Sequence, residues 1–159
     1  MKKDEYFQYV LDCYKPAEKM LKMVPTDKLD WKPSPTFLSM GQLICHLAGG
    51  IGAELAMMIN NSWPQMGDLA EGLKNMPSCS VQEALAKLEK DKSVLREVLA
   101  GVTEEDFASK IVSVPWGWKC KMEKMALDFR EHFINHKMQL FTYLKLLGLP
   151  VNTETLYFG

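Results

Sequence analysis

Residues 130–140 read REHFINHKMQL, and the spacing of two of them decides how the chain is read. His132 and His136 are four apart, just over one helical turn, so a helix puts both on one face. The surrounding residues predict a helix from about Lys121 to Leu147, closed by Gly148 with Pro150 beyond it. Its expected inward stripe is Met125, Phe129, His132, His136, Leu140, Tyr143 and Leu147. Two imidazoles on such a face either pack there, each ring nitrogen needing a partner, or hold something between them.

Three more helices are expected upstream. Apolar residues at 7, 10, 14, 17, 21 and 24 step by three and four and predict a helix over 4–24. Pro16 should kink it and Pro25 should end it. Ser39 and Gln42 form a capping box that opens a second helix, expected to run unbroken to about residue 60. Ser80 and Glu83 form another, opening a third helix over 80–100, and Thr103 with the acids after it predicts one short helical turn. The connections 61–79 and 109–120 are longer than a simple turn needs, and the second holds a β-like run, IVSV, before two tryptophans. The expectation is an all-α fold, a four-helix bundle with long crossover loops and a short β-like segment before the last helix.

Composition narrows the function classes. The 159 residues, 47% apolar and 25% charged, suit one globular domain over 1–159 with a substantial core. A net charge of −1 with both signs interspersed lacks the basic stripe of a nucleic-acid surface, so no nucleic-acid partner is expected. The opening MKKDEYFQYV acquires acids and aromatics before any apolar run forms, unlike a signal peptide. The four cysteines, Cys13, Cys45, Cys79 and Cys120, show no clustered spacing and read as reduced thiols of a cytoplasmic protein. The run 37–59 carries Gln42, His46 and Glu54 near its middle, which predicts a buried helix rather than a membrane span.

The third histidine, His46, falls on the apolar face of the second helix, so all three histidines are expected to face the core. Three inward imidazoles from two helices match a divalent-metal site with three protein ligands and an open position. Gly49, Gly50, Gly52 and Ala53 leave room beside His46, as a substrate pocket requires. Three imidazoles do not distinguish zinc, nickel or iron. Metalloprotease chemistry is not supported, because H-E-x-x-H needs glutamate where Phe133 stands. Asp128 and Gln139, each about one turn from a ligand, are the candidates to orient an imidazole from behind.

Taken together, WKPSPT near Trp31, SMGQLICHL around His46, the PWGW loop, HxxxHKMQL and the closing LG resemble the DinB/YfiT-like family. The similarity spans essentially the whole chain, with Gln139 in the place of a family glutamine three after the last ligand. What the resemblance implies is a four-helix bundle holding a divalent ion on His46, His132 and His136, in a homodimer. Characterised relatives include metal-dependent transferases of bacillithiol or mycothiol and a thiol-dependent isomerase. The ion there activates the low-molecular-weight thiol, which attacks an electrophile. The family name refers to induction by DNA damage and implies no DNA binding. This chain departs from the family at Cys120, where relatives carry Thr or Ser before the last helix. Cys120 either places a thiol at the pocket mouth or packs half-buried, whereas Cys45 is read as core. Trp31, Trp116 and Trp118 are candidate pocket walls or a hydrophobic lid. The expected activity is thus thiol transfer to a small electrophile, with a non-catalytic metal or ligand binder and a metal-dependent hydrolase as alternatives, and no residue beyond the ligands is assigned to catalysis.

Overall fold

The computed structural model describes the backbone of residues 1–159 and every side chain except that of Leu73. Helix α1 (Lys3–Lys22) forms where the sequence predicts it, burying Tyr6, Val10, Tyr14, Ala17 and Leu21 along one stripe. Its ends suit the helix dipole, with Asp4 and Glu5 in the first turn and Lys19 and Lys22 in the last. Pro16 does not split it, and α1 runs through as one element. A 3₁₀ turn (Thr26–Lys28) then leads to a loop whose Leu29 and Trp31 carbonyls accept the Gly41 and Met40 N–H groups.

The second predicted helix is two helices. α2 (Met40–Leu47) opens on the Ser39–Gln42 capping box, and α3 (Ile51–Asn60) follows a break at Gly49–Gly50 that bends the pair by 53°. Gly50 takes φ +75°, a conformation other residues adopt only with strain. A Cβ there would also overlap the Asp91 carboxylate. That carboxylate, buried in the middle of α5 (Val81–Ala100), caps α3 from across the core. Its oxygens accept the N–H groups of Gly52 and Ala53, both at 2.8 Å, and the Tyr14 hydroxyl at 2.6 Å. The Tyr14 oxygen in turn accepts the Ile51 N–H at 2.8 Å. Three N–H groups that a helix start leaves orphaned are therefore satisfied by side chains of two other helices. Burial pushes the Asp91 carboxyl above its ordinary range, and these hydrogen bonds oppose the push.

The connection expected to be a loop over 61–79 contains α4 (Met66–Lys74), an exposed helix. α5 begins at its predicted Ser80–Glu83 box and buries Val81, Ala84, Leu88, Leu95 and Leu99 with Asp91 among them. Thr103 caps the short α6 (Glu104–Ser109). The β-like run is a true strand, β1 (Ile111–Ser113), paired antiparallel with β2 (Lys119–Lys121), which the sequence reading did not anticipate. The hairpin turns at Gly117, φ +91°, and carries Trp116 and Trp118 at its tip.

α7 (Met122–Leu146) is the longest helix, ended at Gly148 with φ +79°. Its buried face is Met125, Phe129, Phe133, Lys137, Leu140 and Leu144. The buried line therefore passes through Phe133 and Lys137, and the histidines flank it. A final helix α8 (Thr153–Tyr157), not foreseen in the sequence, packs on α1, and Lys137 reaches the Leu156 carbonyl at 3.0 Å. The bundle is thus four rods, α1, α2 with α3, α5 and α7, around one continuous core. Among the described residues, no single helix is long and apolar enough to cross a membrane.

The trans cap makes a measurable demand on stability. Gly50→Ala combines a strained φ with a steric overlap and should cost about 2–4 kcal/mol in urea unfolding. Tyr14→Phe, which removes one hydroxyl, should cost about 1–2 kcal/mol. An Asp91→Ala protein within about 0.5 kcal/mol of the parent would show that the cap does not stabilise α3.

Candidate metal centre

His46 occupies the last turn of α2, just before the break, on a helix that packs against α7. The α7 register brings His132 and His136 to the edge of the same seam. His136 Nε2 lies 3.0 Å from His46 Nε2 and 2.8 Å from His132 Nε2. One ligand atom from each of the three rings falls within 4.8 Å of the others. The expectation that all three face the core is only half right. His46 and His136 are partly buried, whereas the His132 side chain is 45% exposed.

The opposite ring nitrogens have their own partners. His136 Nδ1 lies 2.7 Å from Gln139 Oε1, and His132 Nδ1 lies 3.1 Å from Glu54 Oε1. A carboxylate only accepts, so His132 Nδ1 must carry the hydrogen, and the Gln139 oxygen imposes the same tautomer on His136. The Nε2 lone pairs of both rings then point toward one another and toward His46. Unshielded lone pairs about 3 Å apart repel, and a proton or a metal ion among them removes the repulsion. Imidazole nitrogens about 2.0–2.1 Å from a shared ion lie roughly 3 Å apart, which the observed separations match. The three-histidine cluster can hold a metal ion, and its donor set fits one.

Charge states follow from the surroundings. Burial, reinforced by the neighbouring imidazoles, pushes His46 down to about 4. Burial also lowers His136, despite the opposing Gln139 bond. The hydrogen bond to Glu54 raises His132 against the opposing effect of burial.

Gln139 stands where the sequence places it, behind His136. Asp128 does not stand behind an imidazole, because its carboxylate pairs with Lys124 one turn earlier on α7. Glu54 takes that position instead. It sits in the first turn of α3, and sequence reasoning used it only as a charge interrupting an apolar run. The signal available was one acid in an otherwise apolar helix, but its target became visible only with the bend.

Two cavities meet at the cluster. The smaller, about 230 Å³, is bounded by the three rings with Gly49, Gly50 and Ala53, so the small residues after His46 do leave space beside it. The larger, an open cleft of about 960 Å³, is walled by Trp116, Trp118, Cys120, Met125 and Phe129. His132 and Glu54 border both. Trp116 is steadied by Trp63, edge-on with ring centroids 5.4 Å apart, a contact between distant segments that leaves no mark in residue spacing. Trp31 is not a wall of either cavity, because its ring packs edge-on against Tyr143 at 5.5 Å. Cys120 contributes to the cleft through the register of β2, while Cys45 is buried outside both cavities.

Comparison with solved structures returns the same architecture. A DinB-family protein from Exiguobacterium sibiricum superposes with a TM-score of 0.72 at 17% identity, covering 96% of each chain. A DinB-like protein from Bacillus cereus gives 0.72 at 14% identity over 94% of this chain and 95% of that one. One from Bacillus subtilis gives 0.67 at 16% identity over 92% and 96%. At such identities the likeness shows the fold alone. No curated protein matches the chain in sequence. The model of the DinB superfamily matches residues 13–139, a span that contains all three histidines and both residues bonded behind them, and the chain belongs to that superfamily.

Proposed function

We propose that this chain is a metal-dependent enzyme that joins a low-molecular-weight thiol to an electrophilic small molecule, with His46, His132 and His136 as ligands of a divalent ion. The observation that carries this reading is the convergence of three imidazoles around one small cavity, two of them with tautomers set from behind and one, His132, also bordering an open cleft. A bound divalent ion would supply a Lewis acid that holds a thiol as its thiolate at neutral pH.

The protein's own part is positioning. Glu54 Oε1 and Gln139 Oε1 each hold the proton of a ring at Nδ1, which keeps Nε2 free to coordinate and fixes the plane of the imidazole. Trp116, Trp118, Met125 and Phe129 offer an apolar wall against which an uncharged electrophile can rest beside His132. The wall also thins the water around the reacting atoms. The tautomer assignment favours this reading over hydrolysis, since Glu54 already accepts the His132 proton and no other acid borders the smaller cavity.

Purified protein should bind about one Zn²⁺ or Ni²⁺ per chain by titration calorimetry, and His136→Ala should abolish binding while helicity persists. Gln139→Ala and Glu54→Gln should each weaken binding about 10–100-fold. Protons compete for the same nitrogens, and His132, raised by Glu54, is the ring that protonates first as pH falls. Apparent affinity should therefore drop as pH descends from about 8 to about 6, and Glu54→Gln should move that drop to lower pH. For the activity, a panel of small thiols with a chromogenic electrophile should turn over only with metal present, and Trp118→Ala should raise KM several-fold with metal affinity unchanged. Equal rates in metal-loaded and metal-free protein would leave a binding module.

A further inference from the structure

Gly41 lies one helical turn before Cys45 in α2, so its carbonyl accepts the Cys45 N–H within the helix. The same carbonyl accepts the N–H of Cys79, at 3.2 Å, from the segment that enters α5. A Cβ on Gly41 would overlap the Ser78 hydroxyl and crowd the Leu29 and Cys79 carbonyls, so glycine is what lets residues 78 and 79 lie directly on α2. Two cysteine backbones tethered to one oxygen run side by side, the arrangement a disulfide needs to bring Cα atoms within about 4.4–6.8 Å. The Cys79 side chain is buried on that same face of α2, and burial first, then the Cys45 thiol beside it, raise the Cys79 thiol. From α5, Lys87 Nζ reaches Cys45 Sγ at 3.1 Å, placing an ammonium against that sulfur. Both cysteines are buried among apolar neighbours, at 5% and 9% exposure, and neither borders the cavities at the histidines.

We propose that Cys45 and Cys79 are an oxidisable pair that a hydroperoxide converts to a disulfide, a modification site on the helix that carries His46. With hydrogen peroxide, Cys45 Sγ attacks one peroxide oxygen, the O–O bond breaks, and Cys45 becomes a sulfenic acid as water leaves. Cys79 Sγ then attacks the Cys45 sulfur, the S–O bond breaks, and the hydroxyl departs as a second water with the Cys79 proton. Two thiols are oxidised by two electrons, and one peroxide is reduced to two waters. The new bond clasps the end of the α4 connection to α2 immediately before His46, and it depends on no metal.

The test is a disulfide map of the whole chain. Fully reduced protein is exposed to hydrogen peroxide, blocked, digested without reductant and analysed by mass spectrometry. The expected product is a peptide joining Cys45 to Cys79, with both thiols lost from titration and restored by dithiothreitol. Cys79→Ala should lose the linked peptide and accumulate a Cys45 sulfenic acid that dimedone traps. Cys45 and Cys79 remaining free while Cys120 is oxidised, or Cys45 pairing with Cys13, Cys120 or a second chain, would overturn the proposal. The map of the unaltered protein decides the matter even where a variant fails to fold.

Discussion

The buried carboxylate of Asp91 is the contact on which the geometry of this protein turns. A carboxylate in an apolar core is costly unless its oxygens are fully engaged, and here they accept two helix-start N–H groups and a tyrosine hydroxyl. In return, α3 can begin inside the bundle, where no water could serve its first amides. The glycine at position 50 supplies the backbone turn and the empty space that the carboxylate occupies.

The consequence reaches the histidines through simple geometry. In a straight helix, residues 46 and 54 would stand about 12 Å apart along the axis. The 53° bend at Gly50 breaks that line, and His46 meets His136 at the end of α2 while Glu54 meets His132 from the start of α3. One break in one helix therefore supplies both a candidate ligand and the acid that orients another. The hairpin tip then walls the open cleft on that side, where Trp116 and Trp118 share the lining with His132.

A buried polar group does similar work one residue beyond His136. Lys137 lies on the buried face of α7, and its ammonium donates to the Leu156 carbonyl, fastening α8 where it packs on α1. Burial lowers Lys137, the expected response of a cation drawn out of water. The same physics separates the three imidazoles: His46 is held low by its apolar surroundings, and His132 is held high by a carboxylate.

Helix existence was legible because apolar periodicity and capping boxes are local: Ser39 with Gln42 and Ser80 with Glu83 cap as read, α1 and α5 follow their stripes, and α7 forms where expected with its buried line shifted to Phe133 and Lys137. The pair His132 and His136 was legible for the same reason, as was Gln139 one turn beyond. The break at Gly50 was not, because a glycine pair inside an apolar run is tolerated in a helix until something across the core requires the turn. Nor was Glu54 behind His132, or Asp128 turned to Lys124, since partners from other helices leave no trace in spacing. By itself the sequence determined which residues could be helical and which could ligate, both being properties of near neighbours along the chain. Only the tertiary structure decided which rings met, which acid stood behind them and which tryptophans faced the cleft, because those outcomes depend on where a buried carboxylate finds its hydrogen bonds.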